Sequence, residues 1–489
     1  MSEIKLQRNL SLFDVTNLVI GGIIGADVYV ASSFGAGLLG PLSILVWVIA
    51  GLIAIVIALS FAQCASLLPR VGGPYAYARE AWGPFPGFLA GWSLWLAEWI
   101  SLAVFPVAFT RYLMFFFPNL DWVGQTFVKV LFVAFLATTN IVGVKTAGRT
   151  NDVLTIIKIV PLIFFSGIGI IFVILNPAVV ASNFSQFAPF GLTNFGSAVV
   201  LIFWAYAGFE ISTIPADVID DPDRTIPRAI TVGISIVTVF YLTTNVILFA
   251  VRPWAQLASD SAPLASATSL VLAIHPALAL VGALIVGGGA LISVSGSDES
   301  GMIGASRLGY ALALDGLFPR AFAKTHPRFK TPYLGIMIQA VTALIASIVG
   351  TVRALIATSV FFMAFAYLLT VASVFKLRKR DLKPKFRLKG GLIIPISAFI
   401  FSLYLLSQVT ITQLAIGLGL LLVGIPIYTR FSPKKELKEL KRILVSTPNR
   451  LRRAYRQEQR FLGNIFRLIK RYYRRKTGRK QAWAEVEER

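Results

Sequence analysis

Along the chain, apolar residues come in long blocks rather than at amphipathic spacing, and polar residues gather in the short stretches between them. A block of about 18 or more apolar residues is long enough for a helix to cross the roughly 30 Å hydrocarbon core of a bilayer. The pattern predicts twelve crossings, at 13–34, 41–67, 86–117, 125–144, 152–175, 195–218, 227–250, 268–298, 333–350, 353–376, 390–409 and 411–429. The expected fold class is an all-α polytopic membrane protein. The first block, Phe13 to Phe34, is too long for the h-region of a signal peptide and lacks a small-residue cleavage site, so it reads as a span. Spans eleven and twelve are parted only by the short polar stretch SQVTITQ.

Two blocks are interrupted by glycine: GGIIGADVY in the first span and FWAYAGFE, Phe203 to Glu210, in the sixth. Each interruption opens a set of five spans, giving expected repeats of 13–175 and 195–376 followed by two further spans in 390–429. Paired breaks at matching places are the sequence pointer to an inverted-repeat transporter, whose broken helices expose backbone N–H and C=O groups near the midplane. Glycines alone fit close helix packing equally well. The acids beside them, Asp27 and Glu210, need another explanation, because a carboxylate at the centre of a spanning helix costs roughly 2.5 to 3.5 kcal/mol on insertion scales.

Composition narrows the classes. The 489 residues are 56% hydrophobic and 14% charged. The single cysteine, Cys64, excludes an intrachain disulfide, and His275 and His326 have no metal-ligand spacing. With no nucleophile constellation either, the chain is expected to be no enzyme and to carry no cofactor or metal. The net charge of +23 is unevenly placed: 41 of the 46 basic residues lie at the N-terminus, in the loops of that side or in the C-terminal tail. The opposite side holds Arg111, Lys129, Arg252 and Arg353, and Lys158 lies within span five. The positive-inside rule then predicts cytoplasmic termini and an even number of spans. The tail, 430–489, mixes 20 basic and 6 acidic residues with Leu, Ile, Phe and Tyr at helical spacing, which suits an amphipathic helix on an anionic inner leaflet; no recognised nucleic-acid fold accompanies that charge.

Three stretches carry a resemblance. LLPRVGGPYAYAREAWGPFPGFLAGW, Leu67 to Trp92, is similar to the Pro-Arg-x-Gly-Gly-Pro-Tyr signature of the amino acid–polyamine–organocation superfamily of secondary transporters. DDPDRTIPRAI after span six and ASRLGYALALDGLFPRAFAKTHPRFKTP after span eight match in order. The resemblance covers the chain from about Ser11 to span ten and implies the five-plus-five inverted-repeat fold. In that fold, helices one and six are broken, and spans 1, 2, 6 and 7 rock against the rest. Gly25, Ala26 and Asp27, just after Ile23, fall on the Gly-(Ser/Thr)-Gly turn whose amides receive the substrate carboxylate. Ala26 lacks the hydroxyl and Asp27 replaces the second glycine, which places a negative charge where an anion is usually received. Trp204 falls on the gating aromatic of arginine/agmatine exchangers, and Ala97 and Glu98 fall on their pocket positions. Gly208 and Glu210 match a Gly-x-Glu with a proton-sensitive glutamate, and Lys158 matches the span-five lysine that stands in for sodium in proton-coupled members.

Simpler readings stand beside these. Lys158 lies near enough to a helix end to snorkel, and Glu98, between Trp95 and Trp99, could be a structural partner of an indole N–H. Asp298 and Glu299 project about 100° apart on a helix, so one is expected toward the cavity or Lys158 and the other at the end of span eight. Asp217, Asp220, Asp221 and Asp223 read as a solvated gate with Arg224 and Arg228 as partners. The expected function is proton-coupled secondary transport of an amino acid or amine across the cytoplasmic membrane, leaning to cationic amino acids or polyamines. A neutral amino acid permease or an exchanger is the alternative within this fold, and a channel or non-transporting receptor the alternative outside it.

Overall fold

The first span starts where a side chain can cap it: Ser11 and Asp14 form a reciprocal capping box, with the Ser11 N–H donating to Asp14 Oδ2 at 2.7 Å. Its helix runs Leu12–Ile23, breaks, and resumes as Asp27–Leu39. Gly40–Leu42 leads into span two, Ser43–Leu67. The computed structural model describes residues 10–70, 72–143, 147–213, 216, 219–379, 386 and 390–433, side chains excepted at 147–154. The basic tail from residue 434 and Asp217 lie outside the described residues.

Proline and small polar caps punctuate the rest. A short helix, Pro74–Trp82, precedes span three, which is Pro84–Leu102 continued as Val104–Phe116. Asp121 caps span four, Trp122–Val142, accepting from the Gly124 N–H at 2.8 Å. Span five is Ala147–Leu175 and span seven Pro222–Val251. Span six is the short helix Phe195–Phe203 followed by tight turns at Trp204–Tyr206 and Phe209–Thr213. Spans nine to twelve are Tyr333–Val349, Val352–Leu377, Ile393–Ser407 and Ile411–Phe431. Among the described residues, eight helical stretches are long and apolar enough to cross a membrane and three shorter apolar helices join them. The stretch Leu12–Leu67 contains two crossings, so the described residues, whose elements are helical, supply the twelve expected spans.

Span eight departs from expectation. It begins at Pro276, after a separate helix Pro263–Val271, and continues unbroken to Leu314. The small and polar run VSGSDESG reads in sequence as the end of a span, yet it lies mid-helix. Neither Asp298 nor Glu299 is therefore at a helix end, and ASRLGYALAL is helix rather than loop. Ser293, Ser297 and Asp298 are buried, and packing against span one gives the two serines the carbonyl partners that the local sequence lacks. The same principle sorts the bundle. Spans four, five and twelve turn Phe135, Ile174 and Leu422 outward, as lipid-facing helices do. Spans one, two and ten are the buried centre, with Tyr29, Trp47 and Tyr367 fully enclosed.

Candidate substrate and coupling site

The site is built from the two breaks. In span one, Ile24 is extended, and its N–H closes the inner helix on Ile20 O at 2.8 Å. Gly25 admits no larger residue, because a Cβ there would stand 2.7 Å from Ser297 Oγ of span eight. Asp27 opens the outer helix and is 5% exposed; the backbone N–H groups of Gly25 and of Asp27 itself face its carboxylate, and Lys158 is the cation that acts on it. The carboxylate thus sits where helix-terminal amides favour an anion.

The carbonyls released by the break are answered by neighbouring spans. Lys158 Nζ donates to Gly21 O at 2.9 Å and to Ser297 Oγ at 3.0 Å. Ser297 Oγ donates in turn to Ile24 O at 2.8 Å, and Tyr241 Oη–H donates to Ile23 O at 3.1 Å. Ser293 Oγ donates to Gly25 O at 3.4 Å. Lys158 is 2% exposed, so it does not snorkel: its stem and ammonium are enclosed between spans one, five and eight. Glu299 also acts on the Lys158 charge, whereas Asp298 is buried with Oδ1 unpartnered among the described residues.

In span six, Ala207 is extended and Gly208 takes φ +115°, a conformation glycine tolerates. This turns the chain so that Glu210, fully buried, accepts the Gly208 N–H at 3.0 Å and the Tyr367 hydroxyl at 2.8 Å. Trp204 is held on the other side of the break: its Nε1–H donates to Ser101 Oγ at 3.1 Å, and its ring lies 5.9 Å from that of Phe105. Ser101 and Ser359 share a hydrogen bond of 2.8 Å, and Ser359 donates to Ala97 O at 2.9 Å. Glu98 is 8% exposed, faces Gly301, and accepts no hydrogen bond from a described residue; no indole N–H reaches it. The charge that acts on it is Glu210.

The expected residues thus form two groups. Ile23, Gly25, Ala26, Asp27 and Lys158 surround the first break; Ala97, Glu98, Trp204, Gly208 and Glu210 surround the second. Ser297, Tyr241, Ser101, Ser359 and Tyr367 complete the site and were not singled out in the sequence, where lone Ser and Tyr residues within apolar helices carry no motif. At one end of the bundle, Arg79 of the short helix pairs with Asp315 at the end of span eight at 2.6 Å, and also donates to Tyr75. Burial and the Asp315 carboxylate hold the Tyr75 phenol above its ordinary range. Near the end of span six, the Asp220 N–H donates to Leu10 O at 3.0 Å and Asp221 precedes span seven with φ +44°.

Twelve apolar spans, with two interrupted helices meeting at buried carboxylates and a buried lysine, define a membrane solute transporter rather than an enzyme. The chain belongs to the amino acid permease family of the amino acid–polyamine–organocation superfamily: residues 10–424 match the family described as amino acid permease. Over 452 residues it is 29% identical to the branched-chain amino acid permease BcaP of Bacillus subtilis, covering 88% of this chain and 94% of that one. It is 27% identical over 455 residues to the serine/threonine exchanger SteT of the same organism, covering 88% and 98%. It is 26% identical over 399 residues to the mouse cationic amino acid transporter 4, covering 78% and 61%.

Proposed function

We propose that the chain is a proton-coupled secondary transporter of the cell membrane that carries an amine-bearing substrate, a cationic amino acid or a polyamine, between spans one, three, six, eight and ten. The observation that carries this reading is Glu98, an enclosed carboxylate on which Glu210 acts as a like charge, with no cation or donor against it among the described residues. An enclosed carboxylate next to another carboxylate is completed by a proton or a cation. Lys158 and Glu210 are the proposed titrating groups, since each joins a break to the rigid spans around it. Substrate exchange uses the same geometry. On this reading residues 1–429 are the transport domain, with both termini cytoplasmic. Residues 430–489 are a basic amphipathic tail that lies on anionic lipid, without a nucleic-acid partner.

One observation favours a neutral amino acid instead. The Asp27 carboxylate is faced by two backbone N–H groups and by Lys158, so it has donors within the protein and needs no substrate ammonium to supply one. Competition in proteoliposomes separates the two: labelled arginine uptake is challenged with lysine, agmatine, leucine and serine, for wild type and Glu98→Gln. Displacement by cations alone, weakened roughly ten-fold in the variant, supports the cationic reading. Equal displacement by leucine and serine, unchanged in Glu98→Gln, makes the chain a neutral permease. Flux that never saturates makes it a channel.

A further inference from the structure

At the end of the bundle where spans three, seven and nine finish, a cavity of about 670 Å³ opens between the outer half of span one, span three and the starts of spans four and ten. Arg111, Lys129 and Arg353 line it together. The sequence places four basic residues on this face of the membrane, and three of them converge here. The fourth, Arg252, is bound to Asp260, the one carboxylate among the lining residues. That carboxylate is further occupied by the Ala262 N–H at 2.9 Å and Ser266 Oγ at 3.1 Å.

The three lining cations have no carboxylate of their own among the described residues. Arg111 makes no hydrogen bond or ion pair there, Arg353 lies over the Phe34 ring at 5.3 Å, and Lys129 donates to Ser347 O at 2.9 Å. They act on one another as like charges, Arg353 on Arg111 and Arg111 on Lys129. Half-buried Arg111 and Lys129 beside exposed Arg353, lining one cavity with no carboxylate of their own, form a site that an anion completes. The hydroxyls of Ser33 and Thr110 stand deeper in the same cavity, although in this structure each donates elsewhere: Ser33 to Asp260 O at 2.9 Å and Thr110 to Pro106 O at 2.8 Å.

The position ties the cavity to transport. Ser33 lies six residues beyond Asp27 on the same helix, roughly 9 Å of helical rise, and Thr110 lies on the span that carries Glu98. Along span three, Phe105, whose ring pairs with Trp204, lies between Glu98 and Thr110 in the chain, and the Tyr112 hydroxyl donates to Tyr29 O at 3.1 Å and pins span three to span one. We infer that this cavity is an anion-binding vestibule that docks the carboxylate of an incoming amino acid before it passes the aromatic pair. This deepens, and rests on, the transport reading above, and it narrows the substrate class. A carboxylate-bearing amino acid is received by Arg111 and Arg353, whereas a polyamine or a decarboxylated amine has no group for them and is repelled.

Two measurements on the full-length chain test the vestibule separately from transport. In nanodiscs of neutral phosphatidylcholine, phenylglyoxal modification of Arg111 and Arg353 is followed by mass spectrometry with acetate, methylamine or chloride at equal ionic strength. Protection by acetate and not by methylamine or chloride is expected. Absence of protection overturns the vestibule, and protection seen only when phosphatidylglycerol is added assigns the cations to lipid headgroups and overturns it equally. In proteoliposomes, Arg111→Gln/Arg353→Gln is expected to raise the KM for amino acid entering from this face roughly ten-fold, with the maximal rate little changed and the salt dependence reduced. An unchanged KM overturns the docking role. If the wild type moves no amino acid while acetate still protects, the transport reading fails and the anion site stands.

Discussion

The carbonyl oxygen of Gly208 lies 3.0 Å from the point where a Cβ on Gly22 would stand, so the two broken helices touch backbone to backbone. That contact joins the Asp27–Lys158 group to the Glu98–Glu210 group. Gly22→Ala is expected to destabilise the protein by about 1–3 kcal/mol through overpacking. Gly208→Ala, at φ +115°, should be worse. Thermal unfolding of the purified variants checks both, and an unaltered midpoint would show that the helices do not meet here.

Lys158 holds Gly21 O and Ser297 Oγ at once and is a charge partner of Asp27. Removing it leaves the buried Gly21 carbonyl without its ammonium donor, a loss that costs about 1–3 kcal/mol. Lys158→Ala is therefore expected to melt earlier and to lose the response of uptake to an imposed proton gradient. Ser297→Ala should retain that response. Equal gradient dependence in wild type and Lys158→Ala removes Lys158 from coupling.

Tyr367 is the side-chain donor to Glu210 Oε1. Deleting its hydroxyl in Tyr367→Phe should lower stability by about 1–3 kcal/mol, the cost of an unsatisfied buried partner. Where Glu210 carries the proton, the pH profile of uptake also moves in this variant and flattens in Glu210→Gln. A profile identical to wild type in both leaves Glu210 a structural residue only.

The Arg79–Asp315 pair joins the short helix to the end of span eight with both side chains partly exposed, 34% and 42%. Such a pair contributes at most about 1 kcal/mol to stability. Asp315→Asn should accordingly melt near wild type while altering the rate at which this end of the bundle opens, read as faster substrate counterflow. A large fall in melting temperature with unchanged counterflow would make it a structural tie instead of a latch.

Several site features were legible residue by residue. Asp27, Glu98, Lys158 and Glu210 stand out because ionisable residues within apolar blocks are costly and few. Ser297 and Tyr367 could not be found this way, since a serine or tyrosine in a spanning helix is unremarkable until its partner is known. Ser297 was further hidden by its neighbours, whose polarity made span eight look as though it ended where it continues.

The number of crossings and the places where two of them break were determined by the sequence itself, because apolar run length and a glycine's backbone freedom are properties of a few consecutive residues. Only the tertiary structure decided how the breaks are satisfied. Lys158 reaches Gly21 across 137 residues and Tyr367 reaches Glu210 across 157, and no local pattern encodes such pairings. Likewise, Arg111, Lys129 and Arg353 come from three different spans and become one site only when those spans pack. Hydrogen bonds and charge interactions act over a few ångströms of space, and packing alone sets which distant residues come that close.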